Sequence, residues 1–377
     1  MRQAFITTTG SHLPGPPVAN DDMERHIGVV SPLASRLGRL VLRQNRIRTR
    51  HYAVDAEGRT DTTVARMAAD AARDLLSRAE IPGSAVTHLA TATTQADGMV
   101  PGLASGVHRE LGLPPLEITS CQSVCASSMM ALKNAWLQVA SGEHDASLVV
   151  GAEFSSRYFR PGFYHGTDVI DHEGRLSGDA DFLRWTLSDG AGALLVEPRA
   201  AAHGLSLRID WISLRSFADR FEPCMTGGVA GSPTAARTPW SHHPSAHAAA
   251  KAGAFTLRQD AEALKAMLPV WLGELMRLVD EGRIATSEVD WFLCHYSAHS
   301  LREEMIRLAT RAGCMIPEER WFTNLYDKGN VGAASLFLLL DDLLRSDRLK
   351  PGQTILCAVP ESGQCLMGYA RMTVVER

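Results

Sequence analysis

The sequence predicts an α/β chain folded as a five-layer αβαβα sandwich of two duplicated halves, residues 1–200 and 201–377. Three observations lead there. Apolar runs of strand length alternate with longer helical runs, which implies parallel sheets covered by helices. Two of the helical runs, 129–140 and 331–344, are apolar on almost every side, the mark of a helix inside a core. The order turn, strand, buried helix, strand then occurs twice: 286–294 repeats 84–90, and 329–344 with 353–359 repeats Cys125, its helix and the strand over 148–151.

Taken in order, residues 1–10 predict a first strand and turn, and 11–60, rich in Gly, Pro and Arg, predict irregular structure with short helices. The basic run Arg43 to His51 reads as a solvated face or a holder of phosphates. An Ala-rich amphipathic helix is expected over 61–79, ended by Pro82-Gly83, then a strand over 86–94 and a helix over 102–111. A short strand over 116–119 leads to Cys125 and the first buried helix, which Ser141-Gly142 ends; strands follow at 146–151 and 189–196. Residues 155–183 and 223–252 lack periodicity and read as inserted loops. A long amphipathic helix is expected over 257–279.

Composition narrows the function. With 45% hydrophobic and 21% charged residues the chain is globular rather than disordered. A net charge of −4 gives no global attraction to nucleic acid or to an anionic membrane. Seven scattered cysteines, odd in number and without a CxxC pair, argue against a disulfide framework or a zinc site and for a reducing cytoplasm. No apolar stretch has the length of a signal peptide's core at the N-terminus or of a membrane span anywhere.

Cysteine chemistry depends on setting. Cys125 lies between a strand and a buried helix, where unpaired backbone N–H groups and the helix dipole favour a thiolate. A pseudo-twofold repeat brings the starts of both buried helices together. Asn330, opening the second helix, and His295, ending the strand over 291–294, then converge on Cys125. Each alone has an ordinary reading, Asn330 as a turn or cap and His295 as a buried structural histidine. Cys, His and Asn also suit a papain-like protease, but its local signatures are absent and the repeated architecture differs.

These residues resemble those of the β-ketoacyl-acyl-carrier-protein synthase III family, condensing enzymes of the thiolase superfamily. The run from Cys125-Ala126 through Ala131-Leu132, Ser141-Gly142 and Leu148-Val149-Val150-Gly151 is similar to the family's nucleophile segment. Arg46 to His51, Asp189 to Ala193, Gly329-Asn330 with Ala333-Ala334-Ser335, and Leu349 to Gln353 extend the likeness over residues 4–374. The resemblance implies a thiolase-like fold, catalysis by Cys125, His295 and Asn330, and an oxyanion hole from the N–H groups of Cys125 and Gly363. It implies acyl-carrier-protein or coenzyme A thioesters as substrates, no metal or redox cofactor, and a homodimer. No nucleic acid or membrane enters.

Departures from the family bear on substrate. Its His-Gln-Ala-Asn motif reads His295-Tyr296-Ser297-Ala298-His299 here; His295, directly at the strand end, is preferred to His299. Val100 stands before Pro101 where the family has Phe, and its tryptophan near residue 32 has no counterpart. Arg302 and Arg258 are candidates for docking an acidic carrier. Glu153 is a candidate base for a later cyclisation, or else a structural carboxylate at a dimer interface. The expected reaction is a decarboxylative Claisen condensation with a malonyl- or β-ketoacyl-type extender, in specialised fatty-acid or polyketide metabolism. The alternatives are acyl transfer to an alcohol or amine, and a silent subunit of a heterodimeric synthase.

Overall fold

A computed structural model of the chain describes residues 1–231 and 237–377. Its main sheet has nine strands: β1 (Phe5–His12), β2 (His88–Thr93), β3 (Glu117–Gln122), β4 (Ser147–Glu153), β5 (Gly190–Glu197), β6 (Leu205–Ser216), β7 (Trp291–Cys294), β8 (Thr354–Glu361) and β9 (Leu366–Glu376). The helices that frame it are α1 (Pro32–Asn45), α2 (Val64–Leu76), α3 (Leu103–Leu111), α4 (Ser127–Ser141), α5 (Ala261–Asp280), α6 (His299–Arg311) and α7 (Ser335–Leu344).

The strand order is β7-β8-β9-β6-β1-β5-β4-β2-β3. Two arms meet at a seam of two pairs, Phe5 opposite Arg208 and Ile6 opposite Leu207. In the first arm β2 runs parallel to both β3 and β4, and in the second β7 runs parallel to β8.

Side-chain alternation builds the layers, because successive residues of a strand face opposite sides. Leu148 and Val150 face an outer core with Met67 and Leu75 of α2 and Val107 of α3. Val149 faces an inner core with Met129 and Leu132 of α4 and Phe337 and Leu340 of α7. In the second arm Ile355 and Cys357 enter that same inner core, while Leu356 and Ala358 face Met267 and Trp271 of α5 and Ala309 of α6. Outer helices, arm, inner helices, arm, outer helices make the five layers. Strands buried on both faces read as continuous apolar runs, and all of β4 is buried.

Most expected elements appear with shifted ends, but α1, α6, β6 and β9 were not anticipated. α1 occupies a region read as irregular; its start signal is Ser31, whose hydroxyl accepts from Ala34 N–H at 3.0 Å, followed by Pro32. Gly38 inside α1 is explained by contact, since a Cβ there would lie 2.0 Å from the Trp185 ring. β6 and β9 are half-buried along parts of their length and carry a weaker alternation. The loop over 155–183 holds two single 3-10 turns and a short helix, Gly178–Arg184. The loop over 223–252 lies partly outside the described residues; within them Met225–Thr226 pairs with Arg258–Gln259. Among the described residues no helix is long and apolar enough to cross a membrane.

Candidate active site

Cys125 lies in the turn between β3 and α4 and is 7% exposed. Ser128 Oγ donates to its carbonyl at 2.9 Å, tying the turn to the first helical residues. With His295, Asn330 and Glu153 it lines one cavity of about 760 Å³.

His295 follows β7, and its N–H bonds Ala358 O at 2.9 Å, so it continues the β7–β8 pairing by one residue. Its Nε2 is buried with no hydrogen-bond partner among the described residues. Burial lowers its pKa to about 4, so the ring is neutral at pH 7. A neutral imidazole with a free buried nitrogen is suited to donate a hydrogen bond to something entering the cavity.

Asn330 belongs to the second half but is gripped by the first. Its N–H bonds Thr186 O at 3.3 Å and its carbonyl accepts from Ser188 N–H at 2.8 Å. Its Oδ1 accepts from Gly332 N–H at 2.9 Å. That bond fixes the amide, leaving the NH₂ end for the cavity.

Two carboxyl groups complete the surroundings. Glu153, at the end of β4, accepts at Oε1 from Thr94 N–H (3.0 Å), Thr94 Oγ1 (2.6 Å) and Ala333 N–H (3.0 Å). Burial pushes its pKa up to about 7 against these donors and the Arg157 charge. Gly332, at φ +48°, permits the approach: a Cβ there would lie 2.9 Å from Glu153 Oε1. Glu361, at the end of β8, accepts from Ser123 Oγ at 2.6 Å and from Ala126 N–H at 3.0 Å. Burial raises its pKa as well.

Glu361 was missed in the sequence. Matching 353–359 with the strand over 148–151 and extending it by two residues pairs Glu361 with Glu153, so the signal was present. Its consequence corrects the expected thiolate. Burial first, then the Glu361 and Glu153 charges, hold the Cys125 thiol well above its ordinary pKa. The donor at Ala126 that was to favour an anion is already engaged by Glu361.

The remaining candidates divide. Gly363 passes beside the Cys125 turn, where a Cβ would lie 3.2 Å from Val124 Cγ2. His299 is engaged elsewhere, its Nδ1 2.6 Å from Tyr326 Oη and its Nε2 3.1 Å from Glu303. Val100 is 85% exposed and does not line the cavity within this chain. Arg258 does not offer a free surface charge: it is buried beside Asp179 at 3.5 Å and donates to Gly231 O. Arg302 is likewise held, 2.9 Å from Glu318 and stacked over Trp321. In the basic run, Arg50 is fully buried and donates to Asn20 Oδ1 and Trp185 O, which are structural contacts.

The profile of the 3-oxoacyl-[acyl-carrier-protein (ACP)] synthase III C-terminal family matches residues 279–364, and that of the thiolase N-terminal domain matches residues 46–163. The chain is 26% identical to the β-ketoacyl-[acyl-carrier-protein] synthase III of Hyphomonas neptunium over 356 residues, covering 94% of each. It is 26% identical to that of Neisseria meningitidis serogroup A over 366 residues, covering 94% of this chain and 95% of the relative. Similar solved structures include AbyA1, a tetronic acid condensing enzyme (TM-score 0.76, 22% identity, 98% and 99% of the two chains). The 3-oxoacyl-(acyl carrier protein) synthase III of Pseudomonas aeruginosa gives a TM-score of 0.71 at 21% identity, covering 100% and 99%. Xanthomonas campestris OleA gives 0.77 at 19%, covering 99% and 98%. With the sheet order and the Cys, His and Asn of one cavity, these matches make the chain a β-ketoacyl-[acyl-carrier-protein] synthase III-like enzyme of the thiolase superfamily.

Proposed function

We propose that Cys125, His295 and Asn330 carry out a decarboxylative condensation of two acyl thioesters. The observation that carries the reading is the pair of free donors, His295 Nε2 and the Asn330 amide, lining the same cavity as the Cys125 thiol. Cys125 sulfur attacks a donor thioester and expels its thiol, leaving an acyl-enzyme. The N–H groups of Cys125 and Gly363 stabilise the oxyanion of that step. An extender with a free β-carboxylate then binds with its thioester oxygen at His295 and Asn330. Its C–C bond breaks, carbon dioxide leaves, and the electron pair remains as an enolate held by the two neutral donors. The enolate carbon attacks the acyl-enzyme carbonyl, and Cys125 sulfur departs as the new C–C bond closes. The chemistry runs on the thioesters themselves and calls for no redox partner.

Coenzyme A or an acidic carrier protein brings the acyl groups, and the seven free cysteines suit the cytoplasm. A homodimer through the edge strand β3 is supported by its unpaired side and by exposed Ile118, with Met99 and Val100 also exposed nearby in sequence. Glu153 favours a second reading: a carboxyl with a pKa near 7 in this cavity suits deprotonating an alcohol acceptor. Labelled malonyl thioester separates the two. Release of labelled carbon dioxide with a chain-extended product supports condensation; ester formation without decarboxylation of any extender replaces it.

A further inference from the structure

Gln259 is a polar residue of the catalytic cavity for which the condensation has no use. It is 4% exposed and lines the wall together with Met225, Leu257, Leu264 and Leu268. Its Nε2 donates to Ser362 Oγ at 2.8 Å, while its Oε1 has no hydrogen-bond partner among the described residues. The backbone around it is held from both sides. Gln259 pairs with Met225, whose N–H donates to Ser362 O at 2.8 Å. Asp260 N–H donates to Cys224 O at 2.9 Å, and Asp260 Oδ1 accepts from the N–H groups of Glu262 and Ala263 to start α5. The amide is thus fixed by its neighbours, with Ser362 engaging one end of it. Buried polar atoms are nearly always paired, and a wall built for packing alone would carry another Leu or Met here.

We propose that Gln259 reads a hydroxyl on the donor acyl group, so that a hydroxyacyl thioester is preferred to a plain alkanoyl one. An amide oxygen only accepts, so it selects a group that donates. A keto oxygen in the same place would face a second oxygen, and an ammonium would bring a charge against apolar side chains. A hydroxyl is the smallest neutral group that donates. Ser362 precedes Gly363, which passes beside the Cys125 turn and whose N–H is assigned to the oxyanion of acyl transfer. The amide tied to Ser362 therefore stands near the reacting carbonyl, which places the hydroxyl on one of the first carbons beyond it. The proposal rests on the condensing reading for the step that loads Cys125.

Gln259→Met tests it, since methionine keeps the length of the side chain and removes the amide. The enzyme is offered butyryl thioester in competition with 2-hydroxybutyryl or 3-hydroxybutyryl thioester, each enantiomer in turn. Intact mass then reads which acyl group Cys125 has taken. At least one hydroxyacyl donor should be preferred by about tenfold or more, the scale of leaving a buried acceptor unpaired when the hydroxyl is missing. In Gln259→Met that preference should disappear. A merely structural role would lower loading from both donors together and leave their ratio alone. A wild type that takes butyryl as readily as every hydroxyacyl donor overturns the proposal, and so does a preference that survives in the variant. A second measurement needs no chemistry. In a Cys125→Ala protein, calorimetric Kd values for hydroxybutyryl and butyryl coenzyme A should show the same preference, and adding Gln259→Met should abolish it. Equal Kd values before that substitution would overturn the proposal. If Cys125 gains acyl mass from no thioester, the condensing reading falls, and the Kd ratio still decides the role of Gln259.

Discussion

Glu153 and Glu361 make the same contact from opposite halves of the molecule. Glu153 ends β4 in the first half and accepts from Ala333 N–H just ahead of α7 in the second. Glu361 ends β8 in the second half and accepts from Ala126 N–H just ahead of α4 in the first. Where the first copy then places Cys125, one residue before its alanine, the second places Gly332. The duplication thus put one carboxyl beside the Cys125 turn and its counterpart beside the Asn330 turn.

Glu361 should set the reactivity of Cys125. A carboxylate opposes a neighbouring thiolate, so Glu361→Gln, which can still accept from Ala126 N–H, should lower the pH midpoint of Cys125 alkylation by iodoacetamide by about one unit. A midpoint equal to the wild type's would show that burial alone holds the thiol up.

Cys125→Ala should abolish acyl-enzyme formation. Among the described residues, no other cysteine lines the cavity that Cys125 shares with His295 and Asn330. Acyl mass gained by the variant from a donor thioester would remove Cys125 as the nucleophile.

Asn330→Asp should keep acylation of Cys125 and lose carbon dioxide release by about a hundredfold or more, the scale of losing one donor to a developing oxyanion. The aspartate can still accept from Gly332 N–H, so the turn is kept while negative charge replaces the donor. Decarboxylation at the wild-type rate would detach Asn330 from the enolate.

Glu153 makes a prediction about stability. Its folded pKa of about 7 lies above the ordinary 4.5, so the folded state binds more protons than the unfolded chain between those values. Stability from this group is therefore full below about pH 4.5 and is lost as pH rises through 7. Glu153→Gln should remove that slope, making the variant more stable than the wild type at pH 8 by up to roughly 3 kcal/mol, with the gap closing toward pH 5. Parallel denaturation curves for the two proteins across that range would contradict the buried, raised carboxyl.

What was legible in the sequence follows from where burial is strongest. α4, α7, β4 and β8 lie at the centre, and their unbroken apolar runs announced both the layers and the repeat. β6 was missed because it buries only part of its surface, and α1 because the residues it buries are Ala34, Gly38 and Asn45 rather than large apolar ones. Cys125, His295 and Asn330 could be placed in one cavity from the sequence because the repeat brings their turns together. Arg258 and Arg302 were misplaced because a sequence shows a charge but not the Asp179 or Glu318 that holds it. Glu361 was overlooked for a related reason: its partner, Ala126 N–H, lies 235 residues away.

The grip of Thr186 and Ser188 on the backbone of Asn330 has a consequence for how the protein comes apart. A duplicated fold offers two units that can melt separately, but this contact ties the segment just ahead of β5 in one half to the Asn330 turn of the other. Separately expressed fragments of residues 1–200 and 201–377 would leave Glu153 without its Ala333 donor and Glu361 without either Ser123 or Ala126. Calorimetry of the intact chain should accordingly give one endotherm, with calorimetric and van't Hoff enthalpies equal, and the cysteine and the asparagine would lose their register in the same step.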